Sequence, residues 1–316
     1  MKAVFFEAFG GPGVLQLGTL PPPDAADGHL LIDVHCAGVN PIDWKARRGV
    51  YVKLFKHRFP IVAGFDFAGV VREVGPGVSG FAVGDRVNGM NLVDTIGDGT
   101  YAEVTLAPAD TVSHIPADMS FEAAAAIPTG ALTAAQSLFD FGALGAGQSV
   151  LIQAGAGGVG SIAVQLAKRQ GAAVLTTARA ADSDYVVGLG ADVAIDYESE
   201  DFVEAARGQF PDGLDLVVDM VGGETLERGY QTLRKGGRMA LLVGQPDPAL
   251  DRQYGVHSAF VLTVPNAKRL AELSAMVAQG AINLPEIKTM ALEDGAAAQI
   301  ESEAGTVRGK LVLTVR

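Results

Sequence analysis

The 316-residue chain has a single cysteine, Cys36. It can form no intramolecular disulfide, and no structural zinc site can be built on thiolates. Its five histidines, at positions 29, 35, 57, 114 and 257, show no ligand-like spacing. Positive charge is also scarce: 24 Lys and Arg stand against 36 Asp and Glu, a formal net charge of -12. No Lys/Arg run stands out. This argues against nucleic acid or an anionic membrane surface as a general partner, and leaves open a local cationic pocket for one phosphate. Long apolar runs are missing too. The stretch from Leu151 to Leu166 is broken by glycines and is too short to span a bilayer. Met1-Lys2-Ala3-Val4-Phe5-Phe6-Glu7 carries charge inside what would be the apolar core of a signal peptide. A reduced, cytoplasmic setting without membrane insertion fits these absences.

Hydrophobic residues make up 48% of the chain, with 40 glycines. Those values describe a turn-rich globular protein and argue against disorder. The most informative stretch is Ser149-Val150-Leu151-Ile152-Gln153-Ala154-Gly155-Ala156-Gly157-Gly158-Val159-Gly160. It reads as a buried strand, a glycine loop fitting G-x-G-x-x-G at Gly155, Gly157 and Gly160, and a helix from Ser161 to Gln170. Such a loop presents backbone N–H groups and a helix N-terminus to a pyrophosphate. In that arrangement Gly155 allows the tight turn, Gly157 the approach of the phosphate, and Gly160 close packing of helix on strand. A glycine-rich turn without a ligand is the other reading.

The chain before about residue 120 reads as β-rich. Extended runs at Lys2 to Phe9, Val14 to Thr19, His29 to Val39, Ala68 to Val74, Asp85 to Asn88 and Thr100 to Leu106 are separated by Gly and Pro. From Ser120, a good N-cap, strands alternate with helices. Strands fall at Val150 to Ala154, Ala173 to Thr177, Val193 to Ile195, Leu214 to Val218 and Arg238 to Val243. Helices fall near Ser161 to Gln170, Asp182 to Leu189, Phe202 to Ala206 and Glu224 to Lys235. This rhythm predicts an α/β fold with a doubly wound parallel sheet. Beyond Pro265 come helices at Asn266 to Gln279 and Leu292 to Glu303, and a strand at Leu311 to Val315.

The second strand of the glycine-loop unit ends Thr176-Thr177-Ala178-Arg179, with no acid at its tip. A carboxylate there would bind a ribose 2′-OH, whereas Arg179 suits a 2′-phosphate. NADPH is therefore expected over NADH, a solvated surface cation being the other reading of Arg179. Asp182 and Asp184 read as a helix N-cap and first turn.

Taken together, the motifs carry a resemblance. They are Gly38-Val39-Asn40-Pro41-Ile42-Asp43-Trp44-Lys45, the run Phe59 to Val71, Gly84-Asp85-Arg86-Val87, Gly99-Thr100-Tyr101-Ala102-Glu103, the run Ile127 to Ala134, and the terminal Arg308 to Leu313. In this order and spacing the chain resembles the zinc-free quinone oxidoreductase branch of the medium-chain dehydrogenase/reductases. The resemblance covers nearly the whole chain. It implies a chaperonin-10-like β-barrel catalytic domain from residues 1–120 and 265–316, with a Rossmann domain, 121–264, inserted between them and an active-site cleft at their junction. Zinc-dependent cousins carry Cys in the segment of Asn40 and His-Glu where Phe65-Asp66 stand, so no metal is expected.

The resemblance further implies an NADPH-dependent reductase of quinones or α,β-unsaturated carbonyls. Asn40 is the first candidate for a donor to the substrate oxygen, a turn-stabilising Asn before Pro41 being the alternative. Tyr51 is a second candidate donor, or a barrel-rim aromatic. Lys45 reads as a surface cation or an attractor of acidic substrate, and Asp43 and Asp66 as loop braces. Cofactor contacts are expected from Gly155, Gly157, Gly158, Val159 and Gly160 at the pyrophosphate, and from Thr177 and Arg179 at the strand tip. Val221, Val243 and Gly244 are expected along the nucleotide, Phe260 and Val261 beside the nicotinamide, and Thr133 at its ribose. An enoyl-thioester reductase and a non-catalytic NADPH-binding protein, crystallin-like or regulatory, are the competing readings. The run Ser258 to Val264 is a candidate edge strand for a homodimer, or a covered internal strand.

Overall fold

His29–Val39 is the strand around which the first part of the chain is organised. It is buried along most of its length, on both faces. Along one edge it pairs antiparallel with Asp66–Val74. Along the other it pairs first with Val104–Pro108 and then with Lys310–Thr314. The pairing register shifts at Leu31/Ile32 and Val34/Cys36, as it does at bulges. In the computed structural model, which describes residues 1–305, 307 and 309–316, these strands belong to a seven-stranded sheet. Its order is Val112–His114, Arg86–Met90, Asp66–Val74, His29–Val39, Lys310–Thr314 and Ile287–Ala291, with Val104–Pro108 on the central strand. Thus the C-terminal segment completes a β-structure begun at the N-terminus, and the fold is of the GroES-like kind.

The second part is a six-stranded parallel sheet. Its order is Val193–Asp196, Ala173–Ala178, Ser149–Ile152, Leu214–Asp219, Leu233–Leu241 and His257–Phe260. Every neighbouring pair is parallel. Numbered along the chain the order is 3-2-1-4-5-6, the Rossmann arrangement, with its switch point at the strand that feeds the glycine loop. Leu151, Leu175, Leu214, Val217 and Leu241 form the core with Phe202, Leu226, Tyr230 and Met239.

The chain divides into two compact units, Met1–Leu132 with Val264–Arg316, and Thr133–Thr263. The expected boundary at 120/121 lies too early. The helix Phe121–Ala126 packs on the strands at His29, Asp66 and Lys310, so its small side chains belong to the first unit. Other readings shift as well. The helix expected from Glu224 to Lys235 stops at Gly229; a 3-10 turn, Tyr230–Thr232, leads into a strand that already contains Lys235. Buried Tyr230 and Thr232 fix that change of direction. The strand expected at Thr100 to Leu106 begins at Val104. Arg308 of the terminal motif lies outside the described residues.

Candidate active site

In the second unit, the expected cofactor contacts gather at one edge because all six strands run the same way. Ser149–Ile152 leads to the glycine loop, and Ala173–Ala178 ends beside Thr177 and Arg179. Leu214–Asp219 leads to Val221, Leu233–Leu241 to Val243 and Gly244, and His257–Phe260 to Val261. Each lies at or beyond a carboxyl end, where open parallel sheets bind ligands.

The loop is held from below. Thr177 is buried; its hydroxyl accepts the Ala154 N–H at 2.9 Å, and its carbonyl accepts the Gly155 N–H at 2.9 Å. Ala154 has φ +58°, a strained backbone for an alanine and one that marks functional turns. A Cβ on Gly155 would sit 1.9 Å from the Thr176 hydroxyl, itself bonded to the Ile152 carbonyl. A Cβ on Gly160 would meet the Ala154 carbonyl at 2.2 Å. Gly157 is less confined, with the nearest atom at 3.3 Å. Among the described residues, the N–H groups of Gly158 and Val159 have no protein partner. The helix Gly160–Arg169 starts directly behind them. Two free donors in front of a helix N-terminus form an anion cradle.

Arg179 sits at the strand tip, but it is not a free cation. Its Nε and Nη2 both bond Asp182 Oδ2, at 3.0 and 2.9 Å. Its side chain is 47% exposed, whereas that of Asp182 is buried. Asp182 stands at the start of the helix Ser183–Gly188 but makes no side-chain capping bond; its carboxylate is turned to Arg179 instead. Thr133, expected to reach toward a ribose, shares a hydroxyl–hydroxyl bond of 2.5 Å with Thr263. Val221 is half-exposed, and its N–H, with that of Gly222, donates to the buried Asp219 carboxylate. Burial raises the Asp219 pKa, and those two N–H bonds act against the rise. The Val261 N–H bonds the Leu241 carbonyl at 2.9 Å, which fixes the segment after Phe260.

In the first unit, Asn40 opens the helix Pro41–Arg47. Proline at N1 suits that start. The Asn40 N–H donates to Asp43 Oδ2 at 2.8 Å, and the Asp43 N–H donates to the Asn40 carbonyl at 3.0 Å. One of the two N–H donors of the Asn40 amide is engaged, Nδ2 bonding Asp66 Oδ2 at 2.8 Å. Its Oδ1 accepts the Lys310 ammonium. Lys310 is buried with Asp66, 3.7 Å away. Asp66 also takes the Thr129 N–H and hydroxyl, and Tyr101 donates to Asp43 Oδ2 at 2.7 Å. Asn40 is thus the centre of a buried polar network. Burial pushes the Asp43 carboxyl up to about 7 and raises Asp66, while it lowers Lys310. Asp43 Oδ1 has no hydrogen-bond partner.

Lys310, Tyr101 and Thr129 stand in motifs that gave no hint of this chemistry. The available signal was a lysine directly before the apolar run Leu311-Val312-Leu313. Tyr51 is buried and meets Phe55 edge-on at 6.3 Å. Burial holds its phenol up at about 12, so it remains a proton-bearing donor. Lys45 lies 5.6 Å from the Trp44 ring centre, its pKa lowered by burial.

Two family models match the chain: an alcohol dehydrogenase GroES-like domain over residues 26–117, and a zinc-binding dehydrogenase over 189–313. Zinc does not suit the donors present. The Asn40 oxygen is held by an ammonium, and Phe65 has no donor atom. Among the described residues no group of three or more His, Cys, Asp or Glu is placed to hold a metal. The human synaptic vesicle membrane protein VAT-1 homolog is 36% identical over 242 residues. That match takes in 76% of this chain but only 60% of the relative, so the chain spans less than two thirds of its length. The 2-methylene-furan-3-one reductase of Solanum lycopersicum is 34% identical over 89% of this chain and 70% of its own. The quinone oxidoreductase structure from Coxiella burnetii aligns with a TM-score of 0.89 and 35% identity, over 100% of this chain and 99% of that one. The Escherichia coli quinone oxidoreductase, solved with NADPH, gives 0.88 and 28% over the full length of both. Identity of this order across most of both chains, carried by the same fold from end to end, makes this chain a member of the quinone oxidoreductase branch of the medium-chain dehydrogenase/reductases, a family of oxidoreductases.

Proposed function

We propose that this protein is an NADPH-dependent, zinc-independent reductase that passes hydride to quinones or to alkenes conjugated with a carbonyl. The observation that carries the reading is the glycine loop: two unpaired N–H donors, a helix start behind them, and a turn that closes only around Gly155. These features fit a dinucleotide pyrophosphate, and the relative solved with NADPH supports that choice of cofactor.

The residues divide the work. Gly158 and Val159 would bind pyrophosphate oxygens, with Gly155, Gly157 and Gly160 allowing the approach. Thr177 braces the loop from behind. Arg179 would meet the 2′-phosphate in competition with Asp182, which makes the preference for NADPH moderate. Val221, Val243, Gly244, Phe260 and Val261 would line the rest of the nucleotide, and Thr133 would stand near the ribose. The bound cofactor supplies the hydride; the protein supplies position and charge stabilisation. When hydride reaches the acceptor carbon, negative charge develops on the carbonyl oxygen. Tyr51, kept protonated by burial, is the donor to that oxygen. Asn40 holds the start of the helix that precedes Tyr51, and its second Nδ2 hydrogen is the other candidate donor to that oxygen.

The test is NADPH oxidation followed by absorbance, with NADH in parallel, against a quinone, a short enone and an enoyl thioester. Turnover of quinone or enone with NADPH is expected. NADPH binding without turnover of any acceptor would replace this reading with a non-catalytic one, and turnover of the thioester alone would move the substrate class.

A further inference from the structure

The segment from Lys45 to Arg58 runs against the charge of the rest of the chain. It holds a quarter of the chain's 24 Lys and Arg and no Asp or Glu. Its cations differ in how they are used. Arg47 is buried on Glu303, and Arg48 pairs with the same carboxylate. Arg58 pairs with Asp98. Lys45 lies against Trp44. Lys53 and Lys56 are exposed and have no partner among the described residues. The Lys56 N–H donates to the carbonyl of Asp94, itself an exposed acid.

Between these cations the chain exposes aliphatic side chains. Val50 is 58% exposed, Val52 49% and Leu54 60%. Phe59 follows, also exposed. Their exposure is not a failure to fold. Tyr51 and Phe55 fill the interior positions of the same loop, and the turn is tied by Leu54 and Phe55 N–H bonds to the Tyr51 carbonyl. The loop therefore has a defined inside and outside, and its outside is apolar with free ammonium groups beside it. Scattered exposed aliphatics are ordinary; three within five residues, flanked by unpaired lysines on an acidic protein, are not. This pairing of apolar tip and local positive charge suits the boundary of an anionic bilayer, where aliphatic groups enter the headgroup layer and lysines meet lipid phosphates.

We propose that segment 48–59 docks this protein peripherally on an anionic lipid surface. No described helix is long and apolar enough to cross a membrane; contact through a surface loop of this kind is reversible. The net charge of -12 explains why docking needs a local exception: the remaining surface is repelled, and the orientation is set by the loop.

The experiment is co-sedimentation of the full chain with phosphatidylcholine vesicles, with and without about one third phosphatidylserine. Binding is expected only to the phosphatidylserine vesicles and is weakened by salt. Each surface lysine contributes about fivefold, so K53Q/K56Q is expected to weaken binding by roughly thirtyfold. V50S/L54S is expected to weaken it at an unchanged thermal midpoint, which separates docking from folding. Vesicle binding is read without any acceptor, so the outcome is independent of the reductase reading. The proposal is overturned by no binding to phosphatidylserine vesicles, by equal binding to both compositions, or by variants that bind like the parent. It is also overturned if V50S/L54S breaks self-association in sedimentation, since the patch is then covered by a second copy.

Discussion

At the scale of single residues, the nucleotide cradle depends on the absence of side chains. Gly155→Ala puts a methyl 1.9 Å from the Thr176 hydroxyl, so the loop must move. We expect at least a tenfold loss of NADPH affinity by fluorescence titration. Gly11→Ala, where nothing lies within 4 Å, is the control and should bind normally; equal behaviour of the two would show that the loop tolerates the shift. Arg179 and Asp182 are opposed. Arg179→Ala should weaken NADPH by three- to tenfold and leave NADH unchanged, because a cation already paired gives less to a phosphate. Asp182→Asn should strengthen NADPH. Equal changes for both cofactors would remove Arg179 from the 2′-phosphate. Tyr51→Phe, which keeps the ring and removes the donor, should lower kcat by about ten- to hundredfold with little change in KM. A change confined to KM would assign Tyr51 to packing.

At the scale of elements, the buried network joins the helix Pro41–Arg47 to strands from both ends of the chain. Lys310→Met leaves Asp43 and Asp66 buried without their cation and should cost about 3–5 kcal/mol in urea unfolding. The network also sets a pH dependence. Folded Asp43 keeps its proton up to about pH 7, whereas an unfolded Asp releases it near 4. The folded state therefore binds the extra proton. The stability this gives is complete below about pH 4 and is lost as pH rises through about 7. Asp66 is shifted the same way. Asp43→Asn should flatten the fall in urea midpoint between pH 5 and 7.5. An identical fall in parent and variant would place its source elsewhere.

The elements also show how far sequence reading reaches. The strand His29–Val39 and the parallel sheet were legible, because apolar runs bounded by glycines are local signals. The helix Pro41–Arg47 was not: Asp43 and Arg47 are buried in it, so it lacks the apolar stripe that marks a helix. Ile287–Ala291 was hidden for the converse reason, a partly exposed strand without alternation. The glycine loop was legible, but Thr177 was expected as a cofactor contact, and its tie to Ala154 and Gly155 was not legible. The partners of Arg179 and Asn40 were not. Asp182 sits close enough in sequence to suggest an ordinary cap, and Lys310 is 270 residues from Asn40. Nothing local predicts a bond over that separation.

At the scale of the molecule, His257–Phe260 lies at the edge of the parallel sheet, with its far side unpaired among the described strands. We propose that two copies join there into one continuous sheet. Sedimentation should then show a dimer at micromolar concentration; a parent that is monomeric at that concentration refutes the pairing.

The split of the first unit has a consequence for how the protein is made. On a ribosome the residues arrive in order, and the Cys36–Val39 part of one edge of His29–Val39 waits for Lys310–Thr314, while Val104–Pro108 has long since covered the rest of that edge. Thr133–Thr263 meets no such delay, and the Thr133–Thr263 hydroxyl bond closes it on itself. The nucleotide-cradling unit should therefore reach its native state first, while the strand that leads to Asn40 stays open along part of one edge until Lys310–Thr314 has emerged. A nascent chain of this design holds that stretch of strand edge unpaired while the whole of Thr133–Thr263 is made, and removal of Lys310–Thr314 would leave it so for good.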